Sequence, residues 1–377
     1  MSPTIGIDCR KAQDFGIGTY IRGLVGGLAN LDGETHYRLL VSPEGREALG
    51  ELPPNFELVV EGSRVYSLRE QVMLPWRLSR LHLDLFHATH YVLPLYVPSR
   101  VVVTIHDIIH LLFPEFLPNR LAFHYARRMI RRSLERGDRI IAVSERTKTD
   151  LVEYFDVDGE KIEVVYNGVE ERFREHLAEA DRAALLRRLG VPDEYLLFVG
   201  NPKPHKNLDR VLAACARARE LAAGELPPLV CVGARETELV KVRRWAERLG
   251  LADRVHFLGF VAEGDLPALY QGATLLLYPT LYEGFGLPVV EAMAAGTAVI
   301  TSSTSALEEI GRGAAELVDP LDVEALAAAI TRLVADPAAR RDLAARGLKR
   351  AQKFQWSLAA LRTRAIYQEV LGGEESW

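Results

Sequence analysis

Short apolar runs alternate with helix-length amphipathic segments along the whole chain, and this alternation restricts the fold more than any other feature. Runs that are apolar throughout suit strands buried on both faces, which a parallel sheet covered by helices requires. A first series falls at 4–8, 37–41, 56–60, 85–87, 101–105, 139–143 and 162–165. A second follows at 196–199, 229–232, 255–257, 274–278, 298–301 and 316–318. Between them the stretch 167–192 is charged and lacks strand-like runs, so the connection between two α/β domains is placed there. The reading is an N-terminal domain over 1–175 and a C-terminal domain over 190–356.

At 377 residues the chain can bury a core in each domain. A formal net charge of −5 excludes nucleic acid as the main partner. The three cysteines, Cys9, Cys215 and Cys231, lie far apart among apolar neighbours and read as reduced core residues. The run 101–113 is interrupted by His106, Asp107 and His110, and residues 4–8 read directly as a first strand. Neither a membrane span nor a signal peptide is expected, and a cytoplasmic location is the default.

The most informative segment is Tyr278-Pro-Thr-Leu-Tyr-Glu283-Gly-Phe-Gly-Leu287-Pro-Val-Val-Glu291-Ala-Met-Ala-Ala-Gly296. It leaves a strand, crosses a glycine-bearing loop and enters a helix with Pro288 in its first turn, where a missing N–H costs nothing. Two carboxylates, Glu283 and Glu291, flank the mouth of this βαβ unit, where open parallel sheets bind ligands and helix starts attract phosphate. Alone, Glu291 reads equally well as a glutamate reaching solvent from an apolar helix.

The pattern E-G-F-G-L-P-V-V-E-A-M-A-x-G resembles the signature of the family 4 glycosyltransferases, and the resemblance extends over nearly the whole chain. It implies two Rossmann-like domains facing each other across a cleft (the GT-B architecture), the N-terminal one binding the acceptor and the C-terminal one the nucleotide-sugar donor, with a C-terminal helix, about 357–377, crossing back to the N-terminal domain. It also implies a retaining, metal-independent transfer of a hexose from a nucleotide diphosphate sugar. In Phe198-Val-Gly200-Asn201-Pro-Lys203-Pro-His205-Lys206-Asn207-Leu208, Lys206 matches the lysine that the family places on the donor diphosphate. Asn201 stands where many members carry arginine, and Lys203 is the candidate for the missing charge. Gly16 and Gly18 match a glycine-containing loop that faces the donor phosphates, and His106 matches a histidine near the donor sugar. Asp107 is assigned either to the acceptor or to capping a helix. Phe260 and Val261 resemble the segment whose backbone meets the base.

The resemblance assigns Glu283, with the backbone of Gly284, Phe285, Gly286 and Leu287, to the donor sugar, and Glu291 to the ribose hydroxyls. Lys206 and the following helix start would stabilise the leaving diphosphate. Glu283 as a covalent nucleophile stays open beside front-face departure. The N-P-K-P-H-K-N-L loop is similar to members that use GDP-mannose in surface-polysaccharide assembly, with UDP-sugars the second choice. The acceptor would be a glycan or a lipid-linked one. Asp156-Val-Asp158 could hold a divalent metal, but its place between a helix and a strand needs only turn residues. Arg127, Arg128, Arg131, Arg132 and Arg136 recur at helical spacing and read as a solvated basic face, or as a peripheral contact with an anionic membrane. A glycan phosphorylase, a sugar-nucleotide epimerase and a catalytically silent carbohydrate-binding subunit remain as alternatives.

Overall fold

The computed structural model describes residues 2–63, 65–117, 119–222 and 224–372. The chain divides into two units, one running to Gly168 and resuming at Phe354, the other Val169–Lys353. In the first, β1 (Thr4–Asp8), β2 (His36–Val41), β3 (Phe56–Val60), β4 (Leu85–Ala88), β5 (Arg100–Ile105), β6 (Arg139–Ala142) and β7 (Ile162–Val164) form one sheet. Its order is β3-β2-β1-β4-β5-β6-β7, parallel throughout, with Ile5 opposite both Tyr37 and Leu85. In the second, β8 (Leu196–Val199), β9 (Leu229–Val232), β10 (Val255–Gly259), β11 (Leu275–Tyr278), β12 (Val299–Ser302) and β13 (Glu316–Val318) are ordered β10-β9-β8-β11-β12-β13. Each sheet is doubly wound, and its order reverses between its first and fourth strands. That reversal opens a crevice at the carboxyl ends of β1 and β4 in one unit and of β8 and β11 in the other.

The apolar runs become central strands because helices cover both faces. In the second unit Phe198, Leu277 and Ile300 are buried with Leu212, Cys215, Leu326 and Ile330 from flanking helices. Each such side chain contributes roughly 1.5–3 kcal/mol by leaving water. All three cysteines are buried and free.

The domain boundaries differ from those read in the sequence. Residues 169–175 and 176–189 belong to the second unit, because Phe173 is buried edge-on to Tyr270 (5.7 Å, 71°) and helix Glu179–Arg188 packs there through Leu186. At the far end, Phe354 and Trp356 already belong to the first unit. Phe354 meets Tyr166 edge-on (5.7 Å, 88°), and helix Trp356–Val370 packs along helix Ile17–Leu31. The approach is close at Gly23, where an added Cβ would stand 2.1 Å from the Trp356 ring. The helix ends short of the expected 377, and residues 373–377 lie outside the described residues.

Asp156 and Asp158 take structural positions. Asp156 ends helix Glu145–Phe155 in a left-handed conformation, and Asp158 accepts the Glu160 N–H at 2.9 Å. No helix among the described residues is long and apolar enough to cross a membrane.

Candidate active site

The second crevice gathers several of the residues singled out by sequence. β8 ends at Val199 and leads through Asn201 and Lys203 into a single 3-10 turn, Pro204–Lys206. Asn207 then adopts a left-handed conformation, fully buried, and its amide donates to the carbonyls of Pro279 (2.8 Å) and Pro320 (2.7 Å). The Leu281 N–H returns a bond to the His205 carbonyl at 2.8 Å. The loops after β8 and β11 are thus stitched together. In the K-N-L motif Asn207 fixes the loop, Leu208 enters the core, and Lys206 is left facing the loop after β11.

There Lys206 Nζ donates to Glu283 Oε1 at 2.7 Å and to the Tyr278 hydroxyl at 2.8 Å. The Tyr278 hydroxyl in turn donates to the same Glu283 oxygen at 3.0 Å. Burial opposes charge on Lys206, but Glu283 and Tyr278 outweigh it and raise the pKa, so the ammonium is permanent. An ammonium has three donors; two are engaged here and one remains for an anion. Tyr278 was not anticipated from sequence, where it reads only as the aromatic end of an apolar strand.

Gly286 closes the loop and caps helix Leu287–Ala294 with φ 97°. A side chain there would be strained, and its Cβ would stand 2.3 Å from Leu307 Cδ2. Gly284 and Phe285 are buried just before it. The helix buries Val289, Val290, Ala292 and Met293, leaving Glu291 partly exposed. Glu291 Oε2 accepts from the Tyr270 hydroxyl at 2.7 Å, and among the described residues no donor reaches Oε1. Burial pushes this carboxyl up to about 7 despite the Tyr270 bond, with Glu170 adding to the rise. Tyr270 was likewise missed, because it comes from a different helix, Leu266–Gly272.

The other residues of the second unit singled out by sequence are more peripheral. Asn201 keeps a buried amide oxygen with no donor among the described residues, which suits a hydroxyl rather than a phosphate. Lys203 is exposed at the start of the 3-10 turn. Phe260 is exposed and Val261 half-buried after the left-handed Gly259, whose carbonyl accepts the Gly233 N–H at 2.7 Å.

In the first unit, Gly16 is exposed at the cap of helix Ile17–Leu31, while Gly18 is buried against the Ala12 carbonyl. His106 follows β5, and its Nε2–H donates to the Thr89 carbonyl at 2.9 Å. That bond assigns the proton to Nε2 and leaves Nδ1 as an acceptor. Burial pushes its pKa down to about 4 against the Thr89 carbonyl, so the ring is neutral. Tyr20 holds it edge-on at 4.8 Å, and the Tyr20 hydroxyl bonds Thr104 Oγ1 at 2.7 Å. His87 continues the chain to Thr104 (2.8 Å) and to Tyr367 of the last helix (2.6 Å). This network, unread in the sequence, ties the last helix to the support of His106. Asp107 Oδ1 accepts the Ile109 N–H at 3.0 Å, at the start of helix Ile109–Leu112. His110 lies in that short helix.

Two family models match the chain. Glycosyltransferase Family 4 matches residues 16–173, and Glycosyl transferases group 1 matches residues 183–350. The chain belongs to the family 4 glycosyltransferases. The serotype-specific mannosyltransferase WbdA of Escherichia coli is 30% identical over 70% of this chain and 33% of that protein. The chain thus spans about a third of that relative's length. The O-antigen chain mannosyltransferase B of Escherichia coli is 28% identical over 82% of this chain and 80% of its own. Among solved structures, sucrose-phosphate synthase from Thermosynechococcus elongatus superposes with a TM-score of 0.79 at 21% identity, covering 99% of this chain and 100% of that one.

Proposed function

We propose that this family 4 chain transfers a hexose, mannose in the favoured reading, from a nucleotide diphosphate sugar to an acceptor hydroxyl with retention of configuration and without a metal. The observation that carries the reading is the constellation at the second crevice: Lys206, Tyr278 and Glu283 joined by bonds of 2.7–3.0 Å, with Glu291 on the helix that follows. Lys206 offers its remaining N–H to the diphosphate, and the N–H groups of Gly286 and Leu287 at the helix start add to it. Such charge neutralisation serves a leaving diphosphate in place of a metal. Glu291 Oε1 accepts from a ribose hydroxyl. Glu283, held in place by Lys206 and Tyr278, orients the donor sugar. The mannosyltransferase relatives support mannose as the transferred sugar; the reading takes GDP-mannose ahead of a UDP-sugar as donor, and a glycan or lipid-linked acceptor. The reading assigns Nδ1 of neutral His106, in the first unit, to a sugar hydroxyl.

Binding of GDP and UDP by calorimetry, with wild type and Glu291→Ala, tests the donor site; a nucleotide that binds both proteins equally removes Glu291 from it. Glu283→Gln should cut turnover of GDP-mannose at least a hundredfold while sparing GDP binding. Peripheral membrane contact belongs to the same reading. Arg127, Arg128, Arg131 and Arg136 are exposed on helix Arg120–Arg136, as is Leu121. Co-sedimentation with phosphatidylglycerol liposomes that does not weaken with salt would sink it.

A further inference from the structure

The sheet face that carries His106 is polar where a buried face need not be. Successive side chains of a strand alternate between faces, and His87 of β4 stands opposite Val102 of β5. His87 and Thr104 therefore lie on one face, with Thr89 and His106 two residues further along. Helices Ile17–Leu31 and Trp356–Val370 bring Tyr20 and Tyr367 to this face, where both rings pack in one apolar cluster with Val102, Ile21 and Ile141.

Within that cluster the polar groups form a single line. The Tyr367 hydroxyl meets His87 Nδ1 at 2.6 Å, His87 Nε2 meets Thr104 Oγ1 at 2.8 Å, and the same oxygen meets the Tyr20 hydroxyl at 2.7 Å. All four side chains are buried. Burial pushes the His87 pKa down to about 3, with His106 adding to the depression against Asp8, so the ring is neutral. A neutral imidazole donates at one nitrogen and accepts at the other, and either tautomer engages both neighbours here. Packing does not call for these groups. Phenylalanines in place of the two tyrosines and a leucine in place of the histidine would fill the space, and such a swap of bonded partners for apolar groups is close to neutral. A fully bonded buried network adds a single fixed arrangement instead.

The line ends on His106. The Tyr20 ring, anchored by its hydroxyl on Thr104, lies edge-on to the imidazole (4.8 Å, 83°). The imidazole Nε2–H reaches the Thr89 carbonyl at 2.9 Å, and the Thr89 hydroxyl is itself fixed on the Asp8 carbonyl. The Thr147 hydroxyl holds the His106 carbonyl at 3.2 Å. The tilt of Tyr20 thus bounds the rotation of the His106 ring.

We infer that His87 and Tyr367 are positioning residues for His106. Through Thr104 and Tyr20 they hold the imidazole on the Thr89 carbonyl and keep Nδ1 as the acceptor, which makes the last helix part of the machinery of turnover as well as of the core. Their effect on turnover rests on the reading of His106 as a sugar contact; their effect on the ring is measurable without any donor.

The test follows the His106 ring by long-range proton–nitrogen NMR of the full chain, together with steady-state release of GDP from GDP-mannose. Wild type should show the Nε2–H tautomer. His87→Leu and Tyr367→Phe should each move the Nδ1 resonance toward the protonated position, with kcat lowered tenfold or more in the first and threefold or more in the second. KM and the Kd for GDP should stay within twofold. The double variant should be no slower than His87→Leu, because both changes cut one line. Tyr37→Phe removes a buried hydroxyl bond of the same core (to Asp32, 2.9 Å) that lies off the line, so it should lower the melting temperature and leave both kcat and the His106 resonances in place. Tyr367→Phe, which keeps its ring, carries the test if His87→Leu does not fold. His106 resonances unmoved in the folded variants, a kcat unmoved in them while His106→Ala is slow, or an equal loss of kcat in Tyr37→Phe would overturn the positioning role. A wild-type rate in His106→Ala would count against the sugar contact alone.

Discussion

Replacing Glu291 by glutamine should remove two pH dependences that share one cause. The folded carboxyl holds its proton up to about 7, while an ordinary glutamate, as in the unfolded chain, has a value of 4.5. Between those values the folded state binds more protons than the unfolded one, so wild-type stability falls as pH rises through that window. The loss is complete above about 7 and amounts to roughly 3 kcal/mol as an upper bound, since the carboxyl keeps some contact with water. Glutamine carries no charge to desolvate, so the variant should be more stable than wild type at pH 8 and should lose that advantage near pH 4.5. Ligand binding runs the other way. Ribose hydroxyls donate to an ionised carboxylate, so wild-type affinity for a nucleoside diphosphate should drop about tenfold between pH 8 and pH 6, as the protonated fraction grows. Urea unfolding across pH 4.5–8 and calorimetry with GDP at both pH values measure the two effects. A stability curve of the same pH slope in both proteins would refute the burial argument. An affinity that is flat in wild type, or equally steep in the variant, would refute the ribose contact.

Other consequences follow from the same geometry. Tyr278→Phe removes the hydroxyl shared by Lys206 and Glu283 but leaves their 2.7 Å contact, so turnover should fall tenfold or more with GDP affinity changed less than threefold; steady-state kinetics read the split. Asn207→Ala strips the donors from two buried carbonyls and should cost about 2–4 kcal/mol in urea unfolding. Gly286→Ala forces a left-handed alanine into Leu307 and should lower the melting temperature and weaken nucleotide binding together, as differential scanning fluorimetry with and without GDP would show.

The fold was legible because its signal is local. A strand buried on both faces must be apolar along its length, and β1, β8 and β9 carry the bounds read from the sequence, as do the less buried edge strands β3 and β13. The boundaries between the units were less legible, since Phe173, Leu186 and Phe354 are apolar residues whose partners are chosen only in three dimensions. The same holds at the site. Glu283, Glu291 and Lys206 announce themselves by motif, whereas Tyr278 and Tyr270 look like core aromatics until their hydroxyls are seen on those carboxylates. His87 read only as the end of a strand: its bonds to Tyr367 and Thr104 are a property of packing, not of spacing.

The central claim, that Lys206, Glu283 and Glu291 form a donor site for retaining transfer, is tested most directly by following GDP-mannose with the chain by proton NMR. The account predicts release of GDP with α-mannose as the first-formed sugar or α-mannoside as the product, and loss of that release in Glu283→Gln. First formation of the β-anomer, or no release from GDP-mannose, UDP-glucose or UDP-N-acetylglucosamine, would contradict it.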